Sequence, residues 1–328
     1  MALTEAEVAP RESPRAIVVN RAGTDNVYRS VARGAGIATM ALITLIGVFL
    51  LVRGWDALAE AGLSFFTTQA WRTSGENREF GIAALVYGTL VIAVVALVIA
   101  VPVGIAAALF INEYAPLRSR RLIISLVDLL AAVPSLIYGF WGREYLQAPL
   151  SDFASWVSRT FGFIPIFDAP EGARFQNSPF IAGVVVSLMT LPITTSVIRE
   201  VFAQTPPYEK EGALALGATR WGMIRTVVLP FGRGGIIGGS MLGLGRALGE
   251  TIAVALIISP TFKIDSQILK QGGNSVASHI ALSFGEADEF GLSALIAAGL
   301  ALFVLTLIVN MIASFVVSRS RSGTGVEI

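Results

Sequence analysis

EVFAQTPPYEKEGALALGATRWGMIRTVVLP, residues 200–230, joins two long apolar runs and is polar at its start, small-residued in its middle and apolar again at its end. Pro206 and Pro207 are placed to open a helix, because the first turn of a helix has N–H groups without partners and proline lacks one. Glu209 and Glu211 then fall near the positive end of that helix. Gly217 suits the left-handed residue that stops it, and Thr219 can cap a second helix leading into the next apolar run. The spacing predicts a helix over about 207–218, a sharp turn and a second helix. Gly212, Ala213, Ala215, Gly217 and Ala218 keep the hairpin thin, so it can enter a groove on another protein. A surface hairpin with no partner is the alternative these residues leave open.

The flanking runs cover about Phe180 to Ile198 and Phe231 to Ser259. Stretches of about 18 or more apolar residues, nearly free of charge, read as transmembrane helices. Four more occur: Ala35 to Val52, a span within Phe80 to Asn112 with Pro102 as a kink, about Leu122 to Trp141 interrupted by Asp128 and Pro134, and about Gly291 to Val317. The expectation is an all-α polytopic membrane protein with six spans. Its parts are a cytoplasmic tail over 1–34, the first span and an outer loop over 35–79, a membrane domain over 80–318, and a second cytoplasmic tail over 319–328. The tail before the first span is too long for the n-region of a signal peptide, and Ala57-Leu58-Ala59 is a weak match to a cleavage site.

Composition agrees. Of 328 residues 54% are hydrophobic and only 14% charged, against about a quarter charged in soluble domains. A net charge of +1 argues against nucleic-acid binding, which is driven by phosphate contacts. The chain has no cysteine and one histidine, His279. Disulfides, thiol catalysis and Cys-based or multi-His metal sites are thereby excluded. Placing both termini inside gives fifteen Lys and Arg to the inner segments and eight to the longer outer loops, which is the orientation basic residues favour. Arg118, Arg120 and Arg121 in one short loop weigh most. The outer stretch 142–179 carries Trp156, Phe161 and Phe163 among polar residues and reads as an interfacial segment or a surface under a docked partner. NSVASHIALSF predicts a short amphipathic helix on which His279 is incidental.

The remaining anomaly is GLGRALGET, residues 243–251. On one continuous helix Gly235, Gly239, Gly243, Arg246 and Glu250 share a face, and small residues at that spacing let a second helix approach closely. Arg246 would lie near the bilayer centre, where its charge costs about 2.5–3.5 kcal/mol on the mildest scale. Either Glu250 neutralises it one turn away and the pair fixes packing, or its guanidinium offers a donor fork to a passing anion, with Glu250 weakening the hold enough for release. Thr251 follows directly. Ser135 and Tyr138, after Pro134, could line the same route where the proline frees backbone carbonyls. Asp128 reads equally as an interfacial or a functional charge. No phosphate-cradling GxxxxGK[ST] loop occurs, so no nucleotide or metal cofactor is expected in this chain.

Glu211-Gly212-Ala213, Gly217 and Leu229-Pro230 match the spacing of the EAA–x3–G–x9–I–x–L–P signature, and the segment resembles bacterial ABC-importer permeases. Gly212 replaces the usual second alanine and Val227 the isoleucine. NEYAP at 112–116, AAVPSLIYGFWG at 131–142 and GGSMLGLGRALGETIAV at 238–254 are similar to phosphate-uptake permeases of the PstC kind. The resemblance covers roughly residues 80–318. It implies a type I ABC importer permease fold and import of inorganic phosphate by alternating access. It also implies a second homologous permease subunit, a pair of ATPase subunits binding ATP and Mg below, and an extracytoplasmic phosphate-binding protein above, in a bacterial cytoplasmic membrane. Glu209, Glu211, Gly212, Ala213, Gly217 and Arg220 would shape the ATPase contact. The rivals are an importer permease for another substrate such as sulfate, molybdate or an amino acid, an ion-coupled carrier or channel, and an intramembrane enzyme. The last is disfavoured because the spans hold no Ser/His/Asp, metal-ligand or paired-carboxylate set.

Overall fold

The computed structural model describes residues 23–75, 77–170 and 172–320. The chain divides into two compact units, residues 1–48 and 49–328. The first holds most of α1 (Gly23–Arg53), a helix whose apolar side chains, among them Val31, Ile37, Met40 and Leu45, are exposed. The stretch from Gly23 to Gly34, expected as tail, is therefore helical, and the rest of that tail lies outside the described residues.

In the second unit the elements follow in order. A short helix α2 (Trp55–Ala61) and a 3-10 turn lead to a small ladder, β1 (Trp71–Arg72) paired antiparallel with β2 (Glu79–Phe80). Then come α3 (Ala83–Leu109), extended by a π turn at Phe110–Tyr114, α4 (Leu117–Ala131) and α5 (Ser135–Trp141). A π turn at Gly142–Leu146 runs on into α6 (Gln147–Phe161). They are followed by α7 (Pro179–Ala203), α8 (Pro207–Ala215), α9 (Arg220–Met223), α10 (Leu229–Phe231), α11 (Arg233–Leu248) and α12 (Ile252–Ile257). Last are α13 (Val276–Ser283) and α14 (Glu289–Ser320).

Among the described residues four helices are long and apolar enough to cross a membrane alone: Asp25–Arg53, Ala83–Tyr114, Pro179–Ala203 and Glu289–Phe315. They coincide with the first, second, fourth and sixth expected spans. The other two are bent. Leu117–Ala131 and Ser135–Phe161 meet at 89°, and Arg220–Phe231 and Arg233–Leu248 at 66°, so the total reaches six when each bent pair counts as one span. The third span, expected from about Leu122 to Trp141 with an interruption at Asp128 and Pro134, turns a corner at Pro134 and extends from Leu117 to Phe161. Pro134 has no N–H to give and disfavours helical geometry in the residue before it, so α4 stops at Ala131 and α5 begins after Pro134. Pro102 and Pro192, by contrast, lie inside α3 and α7 without ending them.

The core sits where α3, α7, α11 and α12 meet. Ile92, Ala93 and Ala96 pack against Ile181, Ala182, Val185 and Val186, with Ala247, Leu248, Val254 and Ile257 closing the cluster. Close approach rests on missing side chains. A Cβ on Gly235 would lie 2.4 Å from Val201 Cβ, one on Gly239 3.0 Å from Ile198, and one on Gly243 2.8 Å from the Thr194 hydroxyl. The small-residue stripe of α11 therefore faces α7, as its spacing predicts. A second cluster joins Phe65, Phe80 and Leu85 to Val276 and Ala297, and a third joins Ile198 and Phe202 to Met223, Ile224 and Val228 beneath the α8–α9 hairpin.

Candidate functional site

The expected fifth span, one helix from Phe231 to Ser259, is instead broken inside GLGRALGET. Helix α11 ends at Leu248, and α12 starts at Ile252. Glycine at 249 lowers helix stability by about 1 kcal/mol relative to alanine, and the next two side chains offer local substitutes for helical bonding. The Glu250 carboxylate accepts from Ala253 N–H at 3.1 Å and so holds the first turn of α12. The Thr251 hydroxyl donates to the Gly249 carbonyl at 3.0 Å. Arg246 and Glu250 are therefore not neighbours on one continuous helix, and the expected one-turn ion pair is absent among the described residues. The break gives each charge a helix end instead. Arg246 lies in the last turn of α11, where the exposed carbonyls favour a cation, and Glu250 lies at the start of α12, where free N–H groups favour an anion.

Glu250 is buried at 8% exposure. Arg246 is half-buried, and its Nε is enclosed without a hydrogen-bond partner. Such a group ordinarily finds a partner; here the guanidinium keeps its donors available. Tyr138 on α5 lies within the electrostatic reach of Arg246, and its hydroxyl donates to the Leu130 carbonyl across the Pro134 corner at 3.0 Å. Helix α5 sits tightly on α12, since a Cβ on Gly139 would lie 2.7 Å from Ala253 Cα. The two breaks thus lie side by side, bringing Tyr138, Arg246, Glu250 and Thr251 together. Ser135, half-buried at the first residue of α5, makes no hydrogen bond to them. Thr194 was not singled out by sequence, because a lone threonine in an apolar run carries no signal. It adds a buried, unpartnered hydroxyl against Gly243, one turn before Arg246. A cavity of about 180 Å³ lined by Tyr87, Lys263, Lys270 and Gln271 lies elsewhere and includes none of these residues.

The hairpin follows its spacing closely. Pro207 opens α8. Gly217 adopts φ +88°, Ala218 N–H bonds to the Ala213 carbonyl at 3.1 Å, and Gly217 N–H bonds to that of Leu214 at 3.0 Å, which is the Schellman closure. The Thr219 hydroxyl accepts from Gly222 N–H at 3.1 Å. The helix itself ends at Ala215, three residues before the expected limit, and the cap supplies the rest. Glu209, Glu211, Gly212, Gly217 and Arg220 are exposed and Ala213 is half-buried. Around them stand Tyr208, Leu216 and Trp221, exposed at 72%, 92% and 58%. Lys210 alone among the charges of α8 turns inward, to Glu113 at 2.5 Å, and Arg220 donates to the Glu113 carbonyl at 3.3 Å.

Two uncertain residues are placed. Asp128 on α4 is exposed and accepts from the Ser196 hydroxyl of α7 at 3.3 Å. His279 is buried: it is 5% exposed, held edge-on by Trp71 at 4.5 Å and Phe262 at 5.1 Å, its Nδ1 lies 3.3 Å from the Ser283 hydroxyl, and its Nε2 has no partner among the described residues. Burial pushes its pKa down to about 4.

Helices long and apolar enough to cross a membrane, two bent pairs beside an available guanidinium, and an exposed hairpin between them are the architecture of an integral-membrane transport subunit. The chain belongs to the family described as binding-protein-dependent transport system inner membrane component, whose model matches residues 100–322. Among its relatives it is 42% identical over 302 residues to the "Phosphate transport system permease protein PstC 2" of Mycobacterium tuberculosis, covering 91% of this chain and 93% of that one. It is 36% identical over 329 residues to the PstC of Mesorhizobium japonicum, covering 99% of each. Of solved structures it resembles a bacterial alginate ABC importer, with a TM-score of 0.53 at 20% identity over 90% of this chain and 99% of that one. A second structure of the alginate transporter, in complex with an alginate pentasaccharide-bound periplasmic protein, gives a TM-score of 0.56 at 18% identity over the same shares. At these identities the likeness shows the fold alone, that of a type I ABC importer permease built almost wholly of helices; the family match makes the chain a multi-pass inner-membrane protein.

Proposed function

We propose that this chain is the permease subunit of an ATP-driven importer of inorganic phosphate. The observation that carries the reading is Arg246: a guanidinium with no hydrogen-bond or ion-pair partner among the described residues, at a break between two helices. A permanently charged planar fork suits tetrahedral oxyanions, and a discontinuous helix is where transporters place such groups. Glu250, held on α12, stays close enough to weaken the grip so that cargo leaves. Tyr138 and Thr251 add hydroxyls to the passage, with Ser135 at its edge. Phosphate in particular is favoured because the relatives named above are phosphate transport permeases.

In this reading both termini and the α8–α9 hairpin face the cytoplasm. Glu209, Glu211, Gly212, Ala213, Gly217 and Arg220 shape the surface that seats an ATPase subunit, and ATP and Mg bind there, not to this chain. A second permease completes the passage, and an extracytoplasmic binding protein delivers phosphate. ATPase closure pulls the hairpin, which reorients the bent spans about Arg246. The test is uptake of radiolabelled phosphate in cells lacking their own importer and supplied with this chain and its partner subunits. Phosphate uptake resistant to excess sulfate and molybdate is expected. Uptake that those anions abolish, or that proceeds without ATP, would overturn the reading.

A further inference from the structure

Lys210 and Glu113 are 97 residues apart in sequence and make the most buried ion pair among the described residues, with side-chain exposures of 20% and 9%. The remaining three pairs each have a partner more than 40% exposed. A pair that is largely withdrawn from water and hydrogen-bonded at 2.5 Å resists separation far better than a solvated one.

Its surroundings make the pair a junction. Glu113 stands in the π turn that ends α3, and such turns interrupt the regular helical ladder. Its side chain grips α8 through Lys210, while its main-chain carbonyl accepts from Arg220 at the start of α9. One residue therefore holds both arms of the hairpin. The preceding residue, Asn112, donates to the Arg199 carbonyl of α7 at 2.8 Å and accepts from Arg120 of α4 at 2.6 Å. The hairpin is covalently continuous with α7 through residues 204–206 and with α10 through Ile224–Val228, and it shares an apolar cluster with α3 in which Ala213 and Met223 pack with Ala108 and Leu109; among the described residues this junction adds the polar, directional link between hairpin and α3. Helix α3 packs along both α7 and α11, the latter carrying Arg246.

We infer that the Lys210–Glu113 pair is a latch that transmits movement of the α8–α9 hairpin to α3. Resting on the reading of the hairpin as the ATPase contact, the inference divides the charges of α8 into two jobs. Glu209 and Glu211 face outward to a partner, and Lys210 faces inward to the membrane helices. Lys210 and Glu113 are positioning residues: neither touches cargo or nucleotide. A latched α3 moves with the hairpin as a rigid body. An unlatched hairpin keeps only non-directional apolar packing against α3 and slips along it, so ATP is hydrolysed with little cargo moved.

The test uses the full complex reconstituted in vesicles, with ATP hydrolysis and phosphate uptake measured together. Lys210→Met and Glu113→Gln should retain the ATPase subunits and continue hydrolysis, with phosphate moved per ATP falling about tenfold, within the usual range of inter-site coupling. The exchanged pair Glu113→Lys with Lys210→Glu should restore most of that ratio, which a merely structural role for either side chain would not produce. Unchanged coupling in both single variants would overturn the latch. A readout independent of cargo separates this from failure of the phosphate assignment. The natural chain has no cysteine, so spin labels at Val103→Cys on α3 and Tyr208→Cys on α8 are specific. Their distance should stay fixed between nucleotide-free and ATP-trapped complexes and shift in the Lys210→Met background. A distance that already shifts with Lys210 in place would reject the latch, whatever the cargo.

Discussion

Replacing Arg246 with alanine removes a guanidinium that borders the paired helix breaks and has no partner among the described residues. Because no intramolecular bond is lost, the protein should still insert and assemble, while phosphate uptake falls to background. Retained uptake by Arg246→Ala, measured beside normal co-purification of partner subunits, would exclude it from the passage. The stripe on the same helix makes a contrasting prediction. Gly235 has Val201 where a side chain would go, so Gly235→Val overpacks the α11–α7 contact and should destabilise by about 1–3 kcal/mol. Gly238 has open space there, and Gly238→Ala should be neutral or stabilising by up to about 1 kcal/mol. Thermal unfolding in detergent measures both. That Arg246 sits at an unusual place was legible from its charge in an apolar run. Its separation from Glu250 was not, because Gly249 reads equally as a close-packing residue and as a stop.

At the scale of elements, the hairpin was readable because capping chemistry is local. Pro207, Gly217 and Thr219 each act within about four residues, and each does in space what its spacing requires. The corner at Pro134 was only half readable. Hydropathy counts apolar residues without recording direction, so a run that turns 89° scores like one that continues. The Glu113–Lys210 latch was not readable at all, since nothing in either segment names a partner 97 residues away. Two predictions belong here. Glu211→Lys reverses an exposed charge on α8, and Gly217→Ala forces a Cβ onto φ +88°, costing about 1–2 kcal/mol. Both should reduce ATPase co-purification without preventing insertion, and unchanged recovery of the ATPase in both would count against the hairpin as its seat. The cluster of Trp71, Phe262 and His279 makes the other. His279 titrates near 4 when folded and near 6.5 when unfolded. Between those values the unfolded chain binds a proton that the native one does not. Stability is therefore fully present above about pH 6.5 and lost progressively as pH falls toward 4, by up to about 3 kcal/mol. Unfolding midpoints measured from pH 7.5 to 4.5 should show this slope, and His279→Phe should flatten it.

At the scale of the whole molecule, the two bent helix pairs decide which side everything is on. If Leu117–Phe161 and Arg220–Leu248, with α12 beyond, each cross the membrane, Arg118 and the α8–α9 hairpin share one face, and the loop around Lys263 lies on the other. If either pair dips in and returns, this pattern changes. With both returning, the hairpin joins Lys263 and parts from Arg118. The basic residues favour crossing, because Arg118, Arg120, Arg121, Lys210, Arg220 and Arg225 then gather on one side. So does the burial of Glu250 and the partial burial of Arg246 at the second break, since ionisable groups inside a span turn toward protein or a water-filled route, not lipid. Because the natural chain has no cysteine, single substitutions Arg118→Cys, Tyr208→Cys and Lys263→Cys report sidedness without background. An impermeant thiol reagent added outside intact cells should label only Lys263→Cys, and the other two should react only after the membrane is opened. Labelling of Tyr208→Cys from outside, with Arg118→Cys still protected, would put the hairpin on the wrong face for an ATPase and would reduce Leu117–Phe161 to a re-entrant loop.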